Sequence, residues 1–418
     1  MKQVLFVAYY TPPAGGAGVQ RSAKFIKYLP DFGWQPIILT VFPENYRLHD
    51  PSLSADFHPD SPIHRTSAWL LPTWVPWRVR SWFSRWFLLM DENLGWYPFA
   101  VKKGKDILNN SKIDAIYSTS PPHACHMVAS TLKTHSNQPW IADFRDPWIG
   151  NFSRHQPTPI HRRLDNRLES QVINQADKIL VVSPVMREDI QARYPNLEQE
   201  KVNLLENGFD RADFTAVCPA SLPADLFTII YSGSFYSQGL TPNNFLRALA
   251  TVIENQHLPR ARIQVLFIGN ISHQVFEVIE RLGLTDVAKL MSYLPHQDSI
   301  AHLLAAKLLL LIIGGSPASK GVLTGKLFEY LAASKPILAL APDGAAADLV
   351  REAQAGLVVP PDDIPAITHA LVEMYTRWEQ GRLDITPRPE VVARYERRNQ
   401  TARLASLLDR ISAPETMP

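Results

Sequence analysis

The sequence predicts an α/β protein built from two parallel-sheet domains. Three observations predict it: short apolar runs alternating with helical segments, a Gly turn after the first run of each half, and a proline-marked break after which the pattern restarts. Val4–Ala8 reads as a fully buried strand, continuous and rich in β-formers. Gly15-Gly16-Ala17-Gly18 forms the turn, and Val19, Ala23, Ile26 and Leu29 then share one helical face. Pro36–Thr40 is the next strand. Ala115–Ser118, Trp140–Asp143 and Lys178–Ser183 continue the series, with a helix over Leu164–Ala176. Val202–Leu205 leads into the turn-rich Glu206–Asp210, and Pro219–Pro223 makes a second break. Phe227–Tyr231 restarts the pattern and runs into Ser232-Gly233-Ser234. Strands at Gln264–Ile268, Leu308–Ile313 and Pro336–Leu340 follow, with helices over Phe245–Ile253 and Leu327–Ala333. Ala402, Leu404, Leu407, Leu408 and Ile411 close the chain at helical spacing. Ligands of such sheets sit at the carboxyl ends of the strands, so two facing domains place the expected site in the cleft between them.

Composition narrows the function. The 418 residues carry 42 Lys+Arg against 40 Asp+Glu, a net charge of +2 that gives no pull toward nucleic acid. With 46% hydrophobic and 20% charged residues, the chain is neither disordered nor a coiled coil. The two cysteines, Cys125 and Cys218, are far apart and lack metal-ligand spacing, which speaks against a disulfide scaffold or a structural Cys site. No window approaches the ~18–20 apolar residues of a spanning helix, and no cleavage site follows Val4–Tyr10, so a cytoplasmic protein is expected.

Several segments carry candidate chemistry. The glycines at 15, 16 and 18 let backbone N–H groups approach a phosphate at a helix start, or simply make a tight turn; the spacing is not a dinucleotide fingerprint. Gly321–Leu327 resembles a P-loop but is one residue short between its glycines, and Leu327 stands where Ser or Thr would bind Mg²⁺. It still presents N–H groups and the Lys326 ammonium at a helix start, with Glu329 one turn inside, able to reach a ribose while Lys326 reaches phosphate. The alternative is a solvated lysine and a glutamate favoured by the helix dipole. Asp143, Arg145 and Asp146 follow a buried strand and form either a polar constellation or an ion pair that positions a loop. His123, also beyond a strand end, could orient a hydroxyl or a phosphate. No Asp-x-Asp triplet and no metal-ligand cluster occurs, so no required metal is expected. Trp69–Trp96 holds six of the ten tryptophans, with Arg78, Arg80 and Arg85 among them. That mixture suits a bilayer interface, or an aromatic insertion packed on its own domain.

Taken together, these blocks resemble glycosyltransferase family 4, the retaining GT-B sugar transferases. The resemblance runs from the opening strand–turn–helix through SPPHACH, DFRDPW, ADKILVVS, NGFD and YSGSF to YLPH and GKLFEYLAASKPILAL, in the family's order over almost the whole chain. It implies two Rossmann-like domains facing a central cleft, residues 1–200 and 207–392, with residues 393–418 completing the first through a C-terminal helix that crosses back. The first domain would bind the acceptor and the second a nucleotide-sugar donor, a UDP-sugar being favoured. Glu329 looks like the family's ribose-binding glutamate, Gly15 and Gly16 like its diphosphate-facing glycines, Gly233 like the glycine ending the first donor-domain strand, and His123 like the acceptor-side histidine. Thr324, Gly325 and Lys326 would carry the diphosphate; His123 and Lys326 are the expected catalytic pair, and Asp143, Arg145 and Asp146 the expected acceptor side. The implied reaction is metal-independent, cofactor-free sugar transfer, with retention, to a glycan or lipid-linked acceptor, expected in cell-surface polysaccharide synthesis; contact through Trp69–Trp96 would place this cytoplasmic protein at the inner face of the plasma membrane. One departure stands out: Gly321 occupies the position of the family's usual first glutamate, and no basic residue follows Gly233 before position 240. A degenerate binding subunit and a GT-B epimerase or hydrolase are the competing readings.

Overall fold

The computed structural model describes residues 1–418 apart from 47, 58–60, 70–92, 151–157, 236–239, 384 and 414–418. The chain divides into two compact units, Met1–Glu206 with Arg397–Pro418, and Asn207–Glu396.

In the first unit, β1 (Lys2–Val7), β2 (Trp34–Val41), β3 (Ile63–Thr66), β4 (Ala115–Ser120), β5 (Trp140–Phe144), β6 (Lys178–Val181) and β7 (Val202–Leu204) form a parallel sheet in the order β3-β2-β1-β4-β5-β6-β7. In the second, β8 (Phe227–Ser232), β9 (Ile263–Ile268), β10 (Ala288–Met291), β11 (Leu308–Ile312), β12 (Ile337–Leu340) and β13 (Gly356–Val359) are ordered β10-β9-β8-β11-β12-β13. Each order reverses beside the unit's first strand, between β1 and β4 and between β8 and β11. At such a reversal the two flanking connections leave to opposite sides, and a crevice opens at the carboxyl ends.

The central strands are legible because helices cover both faces: β11 reads Leu-Leu-Leu-Leu-Ile and is buried throughout. Edge strands β3 (Ile-His-Arg-Thr) and β10 (Ala-Lys-Leu-Met) are short, partly open and interrupted by charged or polar residues, so they lack the continuous apolar run that would mark them. Several expected boundaries shift by a residue or more, and two have a visible cause or a larger size. Strand β6 stops at Val181 because Ser183 turns to cap the helix Pro184–Arg193, its hydroxyl accepting from Met186 N–H at 3.2 Å. The expected helix at Leu164 begins at Pro159, after the Thr158 cap.

The helix Arg397–Ser412 belongs to the first unit. It buries Leu404, Ala405, Leu407 and Leu408 in one cluster with Phe6 and Trp34 of the first sheet and Phe25 and Ile26 of the helix Ala17–Tyr28. It also fixes the chain as it leaves β7: Gln400 donates to the Glu206 carbonyl at 3.0 Å and Arg403 to that of Leu204 at 2.7 Å. Leu408 has no exposed surface, so Leu408→Ala should cost about 2–5 kcal/mol. Urea unfolding checks this; a loss below ~1 kcal/mol would mean the helix is not an integral layer of the unit.

Candidate functional site

In the second unit the crevice end is built from β8, the turn after it and the helix Gly325–Ala333 that follows β11. Tyr330 pins that helix: its hydroxyl accepts the Ser232 N–H at 2.9 Å and donates to the Leu310 carbonyl at 3.3 Å, tying it to both strands at the reversal. Lys326, Glu329 and Tyr330 are three and four residues apart and therefore share a helix face. Lys326 Nζ donates to Tyr231 Oη at 2.7 Å and lies 4.2 Å from that ring's centroid. Tyr231 is itself stacked on Phe235, centroids 4.3 Å apart. Part of the lysine side chain keeps open surface, but its ammonium rests against the ring. Burial there pushes its pKa down to about 7, with Glu329 pulling the other way.

Gly233 makes this seat possible. Its φ is +141°, and a Cβ there would stand 2.5 Å from Lys326 Nζ. Its own N–H is committed to the Ile268 carbonyl at 2.8 Å, so it serves by having no side chain. Thr324 precedes the helix without capping it, and its Oγ1 is buried with no hydrogen-bond partner. Gly325 is open, with nothing within 4 Å of a Cβ position. Glu329 Oε1 meets His296 Nε2 at 3.0 Å, and His296 Nδ1 lies 3.8 Å from Asp213 Oδ2. Sequence reasoning singled out Thr324, Gly325, Lys326, Glu329 and Gly233, which this unit brings together. It missed Tyr231, Tyr330 and His296; only the position of Tyr330, one turn after Lys326, could have signalled a role.

The first unit's candidates fare differently. Asp143 is fully buried. Arg21 clamps it through Nε at 2.9 Å and Nη2 at 2.7 Å, and Tyr117 and Thr119 donate to it at 2.7 and 2.9 Å. Burial alone would raise its carboxyl pKa, but these partners outweigh it and hold the group below the usual range. Of the two readings of this segment, the positioning ion pair is the one that the structure shows for Asp143, which has no face for an acceptor. Arg21 also donates to the Leu205 and Glu206 carbonyls at 2.9 and 2.7 Å.

Arg145 ties together three loops, through the carbonyls of Gly18, Ser120 (3.0 Å) and Pro121 (2.5 Å). Asp146 is exposed. His123 is only 3% exposed, its ring stacked on Trp148 at 4.4 Å, so it offers almost no open surface. The Gly15 N–H is spent on the Leu48 carbonyl at 2.9 Å, whereas Gly16, at φ +97°, starts the helix Ala17–Tyr28.

Of the tryptophan-rich stretch, Trp74, Trp77, Trp82, Trp86, Arg78, Arg80 and Arg85 lie outside the described residues. Trp96 is buried and donates to Thr66 Oγ1 at 2.8 Å, while Trp69 is 72% exposed. Among the described residues no helix is long and apolar enough to cross a membrane, and no group of three His, Cys, Asp or Glu could hold a metal ion.

Two family models match. Residues 18–213 fit Glycosyltransferase Family 4 and residues 227–377 fit Glycosyl transferases group 1, one model on each unit. The chain belongs to glycosyltransferase family 4. No curated protein sequence matches this family 4 chain. Solved structures do, over nearly its whole length. Sucrose-phosphate synthase from Thermosynechococcus elongatus is 17% identical, with 98% of this chain and 99% of that one covered and a TM-score of 0.71. HepE from Anabaena, in complex with UDP and glucose, is 15% identical, covering 98% and 100%, at 0.65. A Listeria monocytogenes protein assigned as a UDP-N-acetylglucosamine 2-epimerase is 12% identical, covering 98% and 96%, at 0.61. At these identities the likeness shows the GT-B fold, which serves both transfer and epimerisation; it is the family models that make this chain a glycosyltransferase.

Removing one partner of the buried pair leaves an uncompensated charge. Asp143→Ala should therefore cost about 3–5 kcal/mol. Urea unfolding reads this; a cost under ~1 kcal/mol would show that Arg21 finds other compensation.

Proposed function

We propose that this glycosyltransferase moves a hexose from a nucleoside-diphosphate sugar, a UDP-sugar being favoured, to a glycan or lipid-linked acceptor of a cell-surface polysaccharide. The observation that carries the reading is the Lys326 ammonium, set above a glycine at the end of β8 and at the start of the helix Gly325–Ala333, with Glu329 one turn further on. That arrangement suits a diphosphate followed by a ribose. In GT-B chemistry the leaving group is a nucleoside diphosphate, and its departure is helped by fixed positive charge and N–H dipoles aimed at the developing anion. Lys326, the unpartnered Thr324 hydroxyl and the helix start supply these here, without a metal or other cofactor in the reaction. A carboxylate, which only accepts hydrogen bonds, is matched to the two donors of a ribose diol. Retention follows if the departing phosphate oxygen takes the acceptor proton on the face it leaves.

On the acceptor side, Asp146 is the exposed member of the expected trio, and Arg145 and Asp143 hold the loop that presents it. His123 stacks on Trp148 of that loop. Contact with the inner face of the plasma membrane through Trp69–Trp96 would bring a lipid-linked acceptor to this unit.

A second reading is favoured by one residue. Gly321 replaces an acid that would contact the donor sugar, which suits a binding subunit without transfer. Product analysis with and without acceptor separates the two.

The test is a thermal-shift screen of UDP-, GDP- and dTDP-sugars, followed by Lys326→Ala and Glu329→Ala. With the donor that binds, Lys326→Ala should lower kcat/KM by roughly 10²–10³-fold. Glu329→Ala should act mainly on donor KM. Donor affinity and turnover intact in both variants would remove the assignment.

A further inference from the structure

We propose that His296 is a positioning residue that makes the site selective for ribonucleotides, by holding the Glu329 carboxylate in the orientation that receives the ribose diol. This rests on the reading of Glu329 as the ribose contact. A glutamate near a helix start, with 14% of its side chain exposed, has three rotatable bonds and several half-open positions to choose from. Its Oε1 is engaged by His296 Nε2 at 3.0 Å, with the ring nitrogen as donor, and among the described residues no hydrogen bond engages Oε2. One oxygen is thus anchored and the other is kept for a ligand.

The anchor is itself held. His296 is the first residue of the helix His296–Ala305, its side chain is 10% exposed, and Asp213 Oδ2 lies 3.8 Å from the opposite ring nitrogen. Asp213 sits in the short helix Arg211–Thr215, which Asp210 caps by accepting the Ala212 N–H at 3.0 Å. Three elements separate in sequence therefore converge on one carboxylate. Fixing a polar group before its ligand arrives removes the ordering cost from binding. The reward is confined to ligands that carry the two hydroxyls.

Calorimetry on the full chain tests this. UDP, GDP and ADP are titrated first, then the 2′,3′-dideoxy form of whichever binds. The native protein should prefer the ribose form by on the order of tenfold or more. In His296→Leu the preference should collapse to within about twofold, with the dideoxy affinity unchanged. His296→Gln, which retains a donor, should keep most of the preference, and Asp213→Asn should lose part of it. A merely structural role would weaken both nucleotide forms equally. If the native protein prefers the ribose form and His296→Leu keeps that preference, the proposal is overturned while Glu329 stands. If the native protein shows no preference, or binds none of the three, the assignment of Glu329 falls and takes the proposal with it. Should His296→Leu fail to fold, His296→Gln and Asp213→Asn decide between the same outcomes.

Discussion

The second unit depends on where one ammonium group rests. Lys326 Nζ lies against the Tyr231 ring and hydroxyl, and the resulting loss of hydration brings its protonation equilibrium to about 7. Two neighbours make that seat available. Gly233 leaves room that even a methyl group would fill, and Tyr330 fixes the helix to β8 and β11. A lysine in open water is always charged and gains little from meeting a phosphate. One poised near neutrality regains its charge when an anion arrives, in surroundings where the attraction is poorly screened.

The first unit solves the opposite problem. There a buried ion pair is closed to a ligand: Arg21 clamps both oxygens of Asp143, and Tyr117 and Thr119 donate to the same carboxylate. The same guanidinium grips the carbonyls at Leu205 and Glu206, where the chain is about to leave the unit. This buried network fixes the ends of β4 and β5, and Arg145 then ties their loops to the one after β1.

How much of this could be read from the sequence follows a physical line. Central strands such as β1 and β11 are buried on both faces, and burial writes itself as an unbroken apolar run. Strand β3, Ile-His-Arg-Thr, is open along most of its length and left no such mark. In the site, Lys326 and Glu329 were visible because one helical turn relates them. Tyr231 was not: it meets Lys326 across 95 residues of chain, as Tyr330 meets Ser232 across 98 and His296 meets Glu329 across 33. Asp143 illustrates the converse. Local sequence left it between an acceptor contact and an ion pair, and only Arg21, 122 residues away, decides. Contacts set by tertiary packing leave no local periodicity to read.

Proton exchange on nucleotide binding tests the central claim most directly. A nucleoside diphosphate that meets Lys326 would recharge it, so calorimetry at pH 8 in buffers of different ionisation enthalpy should show a net proton uptake that falls as the pH is lowered through 7. In Lys326→Arg, whose side chain is charged throughout, the uptake should vanish. Binding without proton uptake at pH 8, or the same uptake in Lys326→Arg, would contradict the account.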